Sequence, residues 1–232
     1  MPRAVIACCA IPTLAVLFGV PSILAALVDR SGATTHRIVC LWSRLVLRIV
    51  GVRLEAQGLG HLPPGPAVFA ANHASAADIP VVYAGLPAQF RFVHKRSLYL
   101  LPVVGQILLL GGHIGIDRER AFRARRSLER AAARIRGGTS VLAFPEGTRS
   151  RDGRTRPFKR GSFRLAIDAG VPVVPVSLVG VTRVMPAGLP SLRAGSVRIV
   201  VHPPLSTAAA DGDDADRLAA ETQRIVESAL ET

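Results

Sequence analysis

Short apolar runs alternate with turn signals and longer helical patterns along the chain and place strands near residues 52–57, 67–71, 90–94, 112–116, 140–144, 173–178 and 197–202. Runs of this length are too short for helices and read as strands. Strands alternating with helices constrain the chain to an α/β domain, a single central sheet of mixed strand directions flanked by helices. A length of 232 residues suits one such domain with a small appendage and makes two domains a strain. The domain is placed at residues 51–232, with residues 1–50 as a separate helical segment in front of it.

Two helices are plain in the pattern. Arg118 to Arg136 is charged on most faces, presents Phe122, Leu128, Ala132 and Ile135, and stops at Gly137-Gly138, as a surface helix does. From Asp211 the tail opens with acidic residues suited to a helix N-terminus and repeats Leu218, Thr222, Ile225, Val226 and Ala229 at helical spacing, which predicts a closing amphipathic helix.

The first segment is written for lipid. Ala4 to Val28 carries no formal charge and is long enough, if helical, to cross ~30 Å of hydrocarbon at ~1.5 Å per residue. Pro12 and Pro21 argue against one straight rod, so a kinked span and a shallow helical hairpin both fit. Ile38 to Val50 places Arg44 and Arg48 on one helical face, an interfacial pattern. The rival is a cleaved signal peptide, but the run is long for one and no clean cleavage pattern follows. Arg30, Arg37, Arg44 and Arg48 crowd its C-terminal side, so the expectation is a membrane-associated protein on the cytoplasmic face of a bacterial inner membrane.

A formal charge of +13 attracts polyanions, whether anionic lipid, phosphorylated substrates or nucleic acid. Only 5% of the chain is aromatic, too little to interleave stacking platforms with basic residues, and no zinc-finger spacing or zipper-flanked basic region occurs, which excludes nucleic acid as the expected partner. Cys8, Cys9 and Cys40 form no disulfide framework, and the histidines are scattered without metal-ligand spacing. No metal or organic prosthetic group is expected.

The chemistry concentrates in Asn72 to Asp78, NHASAAD, which follows an apolar run and sets an imidazole and a carboxylate five residues apart. A neutral histidine titrating near pH ~6.5 can take a proton from an alcohol if a partner fixes its tautomer, and Asp78 could supply that hydrogen bond to His73. On an unbroken helix the two would lie about 140° apart, so a direct pair requires the chain to enter a helix from a loop within the motif. Taken alone the spacing also suits an ordinary histidine beside a helix cap. Ser75 is read as a cap for that helix and Asn72 as a brace for the loop.

Further along stand GGHIGIDR at 111–118, FPEGTRS at 144–150, FKRGSF at 158–163 and VPVVPVSLVG at 171–180. In this order and spacing the segments resemble the glycerolipid acyltransferase family whose best-known members are the 1-acyl-sn-glycerol-3-phosphate acyltransferases, over residues 50–205. The resemblance implies that family's α/β fold and a reaction in which His73, oriented by Asp78, deprotonates an acceptor hydroxyl that attacks an acyl thioester directly. It makes Glu146, Gly147, Thr148 and Arg149 acceptor-binding and gives Arg118 to the acceptor phosphate, where a surface ion pair with Asp117 is the alternative. Lys95 and Lys159 match weaker basic positions. Glu146 is awkward beside a phosphate unless it pairs with an arginine or orients the turn. Gly115 and His113 depart from the family, which carries a bulky apolar residue at the first and a commonly apolar one at the second. The implied substrates are 1-acyl-sn-glycerol 3-phosphate (lysophosphatidic acid) and acyl-CoA or acyl carrier protein as cosubstrate, with phosphatidic acid as product. Another lysolipid acceptor, or a non-catalytic polybasic membrane-binding protein, are the alternatives.

Overall fold

The computed structural model describes residues 2–117, 121–150, 154–186 and 193–231, with side chains described from residue 13 onward except those of 121–126. Arg118 therefore lies outside the described residues.

Seven strands form one sheet: β1 (Val52–Gln57), β2 (Val68–Ala71), β3 (Phe90–Lys95), β4 (Ile114–Ile116), β5 (Ser140–Ala143), β6 (Val173–Val179) and β7 (Gly195–Val201). Their spatial order is β1-β7-β6-β2-β5-β3-β4, and every neighbouring pair is parallel except β6 with β7. That single reversal makes the sheet mixed, as expected.

The central strands are buried on both faces, and β2 shows how a short apolar run serves two layers. Phe69 and Ala71 enter one core with Val81 and Val82 of α3 (Asp78–Gly85) and with Val46, Leu47 and Val50 of α2 (Ala33–Val50). Val68 and Ala70 enter the other with α5 (Ala121–Arg136), α6 (Gly161–Ala169) and α8 (Asp214–Ser228). This is the period-2 alternation of a strand sandwiched between helices. In α8 the buried positions include Leu218, Thr222 and Val226, the stripe read from the sequence. Gly137-Gly138 follows α5 directly, with Gly138 at φ 96°.

At the front, α1 is one helix over Pro2–Val28, and α2 turns back along it. Asp29 makes that turn: its carboxylate accepts the amides and hydroxyls of Ser31 and Thr34, which holds its carboxyl well below the usual range. Among the described residues no helix is long and apolar enough to cross a membrane. Over the residues whose side chains are described, α1 and α2 form a helical pair laid on the domain. It packs on α3, on β1 and on α4 (Val104–Leu110). Val16, Leu17, Val20, Leu24, Leu27 and Val28 stay exposed on α1, and Arg44 and Arg48 are exposed on α2.

Candidate active site

Parallel strands deliver their loops to one end of the sheet, and ligands in such folds bind in the crevice at the carboxyl ends, where the connections diverge to opposite faces. Here β2 leads into Asn72–Ala77, β5 into Phe144–Ser150 and β3 into the residues after Lys95, with β4 ending beside Asp117. The chain leaves β2 through α3 on one face and β5 through α6 on the other, so the crevice opens between the two adjacent strands that carry the sequence motifs.

The first loop is folded around one carboxylate. Asp78 opens α3 and is fully buried, and its Oδ2 accepts His73 Nδ1 at 2.7 Å, Ala74 N at 2.8 Å and Ser75 N at 2.9 Å. The loop-to-helix turn that the spacing required is therefore present. Two backbone donors fix the carboxylate before it meets the imidazole, and the charge-assisted bond leaves Nδ1–H facing Asp78 and Nε2 bearing the lone pair. Pro80 sits in the first turn of α3, where its missing N–H costs nothing. Ser75 does not cap in the usual way: its hydroxyl accepts Ala77 N–H and donates to Met185 O. Asn72 braces as expected, with Nδ2 donating to Leu178 O and Oδ1 accepting Leu178 N–H, a backbone-like pair that ties the loop to β6.

The second loop holds the first from the other side. Gly147 N–H bonds Phe144 O across Pro145 and Glu146, and Gly147 takes φ 78°, a conformation that favours glycine. This turn aims Glu146 inward, where it is 2% exposed: Oε1 accepts His73 N–H at 2.7 Å and Oε2 accepts Arg156 N–H at 3.1 Å. The resemblance makes Glu146 acceptor-binding, and the geometry gives it the other part open to it, that of orienting the turn. Both its oxygens are committed to backbone amides, so it sets the position of the His73 backbone and does not face the crevice. Burial pushes its carboxyl up, opposed by those two hydrogen bonds. Ser150 N–H completes the seam by donating to His73 O at 2.9 Å. Phe144 stacks on His73, with ring centroids 4.1 Å apart and planes 15° from parallel.

His73, whose side chain is 19% exposed, lines a cavity of about 810 Å³ together with Lys95, Gly147, Thr148 and Arg149. Phe18, Val39, Trp42, Ile107, Leu108 and Phe92 contribute to its apolar wall, drawn from α1, α2, α4 and β3. The structure thus gathers a carboxylate-held imidazole, two basic side chains and a glycine turn in the wall of one largely apolar hollow. Lys159 does not join them: its backbone N–H donates to Pro145 O, and the residue is exposed and does not line the cavity.

The departures in the 111–118 block have a local cause. A Cβ at Gly115 would strike the Tyr99 ring, whose hydroxyl donates to His113 O and accepts Gly115 N–H. Tyr99 fills the volume that a bulky side chain at 115 would take. His113 is buried in the cavity wall, its Nδ1 accepting Phe92 N–H at 2.9 Å, and burial first, then Arg91, holds its imidazole down to about 3. Sequence reasoning missed the stack of Phe144 on His73 and the contribution of α1 and α4 to the wall. Phe144 carried a signal only as the residue leaving β5, and nothing local in α4 marks it as a neighbour of His73.

The sequence profile of the family described as Acyltransferase matches residues 53–179. The chain is 35% identical over 196 residues to a chloroplastic 1-acyl-sn-glycerol-3-phosphate acyltransferase of Brassica napus, covering 82% of this chain and 56% of that one. It is 39% identical over 176 residues to a 1-acyl-sn-glycerol-3-phosphate acyltransferase of Chlamydomonas reinhardtii, covering 75% and 52%. To the human 1-acyl-sn-glycerol-3-phosphate acyltransferase alpha it is 34% identical over 173 residues, covering 74% and 61%. The chain spans about half the length of the relatives it matches. In fold it resembles the crystal structure of the 1-acyl-sn-glycerophosphate (LPA) acyltransferase PlsC from Thermotoga maritima, with a TM-score of 0.81 and 24% identity over 98% of this chain and 94% of that one.

Proposed function

The chain belongs to the acyltransferase family, and from that premise we propose that it moves a fatty acyl group from acyl-CoA or acyl carrier protein to the free hydroxyl of 1-acyl-sn-glycerol 3-phosphate, giving phosphatidic acid. The observation that carries this reading is the 2.7 Å contact between His73 Nδ1 and Asp78 in the wall of a largely apolar cavity of about 810 Å³. His73 Nε2 takes the proton of the acceptor hydroxyl as its oxygen attacks the thioester carbonyl. The imidazolium that forms is steadied by Asp78, and collapse of the tetrahedral adduct breaks the carbon–sulfur bond. The departing thiolate receives the proton back from His73. No covalent enzyme intermediate, metal or prosthetic group enters these steps.

Lys95 and Arg149 line the same cavity and are suited to the acceptor phosphate, Arg149 through a two-pronged guanidinium and Lys95 as a point charge. Gly147 and Thr148 complete the cradle, Gly147 by letting the chain turn with its φ of 78° and Thr148 through its hydroxyl. The cavity volume lies within the roughly 300–1,000 Å³ of ligand sites, and its apolar wall suits the acyl chain. A membrane-bound acceptor also suits the outside of the molecule, where exposed leucines and valines of α1 neighbour the exposed Arg30, Arg37, Arg44 and Arg48. We place the protein at the cytoplasmic face of a membrane on that ground.

The test is transfer itself. Purified protein given a labelled acyl thioester and a panel of lysolipids should label phosphatidate from lysophosphatidate fastest. Label entering only a lysolipid with a different head group would replace the acceptor named here, and vesicle binding without any transfer would point instead to a non-catalytic membrane protein.

A further inference from the structure

A column of four aromatic rings leads away from the imidazole that serves as base. His73 stacks on Phe144, Phe144 lies 5.9 Å from Phe92 with planes at 21°, and Phe92 lies 6.0 Å from His113 with planes at 20°. All four rings line the one cavity, whose wall also takes Val103, Ile107 and Leu108 and a further imidazole, that of His94. The column therefore begins and ends in a histidine, and only the first has a part in the transfer chemistry.

His113 Nδ1 accepts the Phe92 amide proton, and a ring nitrogen that accepts a hydrogen bond carries no proton of its own. In the neutral ring the proton must then sit on Nε2. The Phe92 amide accounts for one nitrogen, but among the described residues Nε2 has no hydrogen-bond partner. An N–H in a cavity wall is costly to cover with an apolar chain unless something in that chain accepts it. His113 is 6% exposed and its Nε2 is not a fully enclosed atom, so water can meet that need only until an acyl chain fills the cavity.

We propose that His113 Nε2–H is the donor for a hydroxyl or oxo oxygen carried in the interior of the acyl chain, so that the protein selects oxygen-bearing acyl thioesters over unsubstituted ones. The inference rests on the transfer reading above, which puts the thioester carbonyl beside His73 and the chain along the apolar wall. Two phenyl rings separate His113 from His73, so an oxygen next to the carbonyl falls short of it, whereas one near mid-chain reaches it. A site built to hydrogen-bond a substrate oxygen disfavours the analogue that lacks it, because the donor is then left unpaired.

The experiment uses the full chain, lysophosphatidate as acceptor and a series of acyl thioesters of equal length, one unsubstituted and others hydroxylated next to the carbonyl, at mid-chain or at the methyl end. The wild-type kcat/KM should favour the mid-chain isomer over the unsubstituted chain by about tenfold. His113→Leu should collapse that ratio, and His113→Gln, which keeps an acceptor for the Phe92 amide and an N–H donor, should restore much of it. A merely structural histidine would lower turnover on every thioester alike and leave the ratio unmoved. The inference is overturned if the wild type transfers all the thioesters but prefers the unsubstituted chain, or if His113→Leu folds and retains the ratio. Should His113→Leu fail to fold, the wild-type series decides alone. Failure to transfer any thioester would instead overturn the transfer reading, and this inference with it.

Discussion

At the scale of single residues, the site is built by groups that never face the substrate. Glu146 receives the amides of His73 and Arg156, and Asp78 receives three donors, so the imidazole is positioned from its backbone and from its ring at once. Glu146→Ala leaves two enclosed amides without acceptors, which should cost about 2–4 kcal/mol of unfolding free energy in denaturant titration. Glu146→Gln, which still offers one acceptor, should lose about half of that. If Glu146 instead gripped the acceptor, Glu146→Ala would raise KM and leave stability untouched. The pairing of His73 with Asp78 was legible from their five-residue spacing, which required the loop-to-helix turn, and the small Ala74, Ala76 and Ala77 between them permit it. The brace at Glu146 was legible only as one of two options, because a glutamate in a turn can face either way and the sequence does not record which side of the turn is packed. Phe144 on His73 and Tyr99 in the space above Gly115 were not legible, since both depend on loops from different strands meeting in space.

At the scale of elements, all seven strands arise where apolar runs predicted them, and the amphipathic stripe of α8 packs as its spacing implied. The runs of β2, β5 and β6 carry their own evidence, because burial on both faces of a strand demands an unbroken apolar string, whereas the edge strand β1, VRLEAQ, is mostly exposed. The order of strands in the sheet carries none, and neither does the place of α1. Pro12 and Pro21 suggested a kinked span or a hairpin; the structure has a single α1 folded back on α2 and supported by α4. The exposed apolar face that results belongs to α1, with Val20, Leu24 and Leu27 each more than half exposed. If that face meets lipid, Leu24→Asp combined with Leu27→Asp should reduce co-sedimentation with anionic vesicles about tenfold or more, since each loses roughly 2 kcal/mol of apolar burial and adds a charge. Unchanged co-sedimentation would assign membrane contact to another surface. Added salt should weaken what binding remains, because the arginine contribution is screened.

At the scale of the whole molecule, burial of neutral histidines couples the fold to pH. Burial first, then Arg91, holds the imidazole of His36 down to about 4, and the same two causes hold His113 down to about 3. Both rings are neutral in the folded chain below the pH at which they protonate when unfolded, about 6.5. The unfolded state then binds more protons than the folded one, so stability is complete above about pH 6.5 and falls as pH drops toward 4, by about 1.4 kcal/mol per unit for each ring. His202 is also held down, by burial and then His61, so thermal unfolding across this window should show the midpoint decline with acid, and His36→Phe should flatten part of the slope. A midpoint that rises with acid would mean that these rings gain protons on folding. The cavity, too, is a property of the whole: it takes walls from α1, α2, α4 and three strand ends, and no local stretch of sequence announces it. The central claim is that His73, held by Asp78, removes the acceptor proton. It is tested most directly by the initial rate of phosphatidate formation in the wild type and in His73→Ala at matched thermal midpoint. The account predicts a fall of at least about a hundredfold in kcat, and turnover close to wild type in a folded His73→Ala would contradict it.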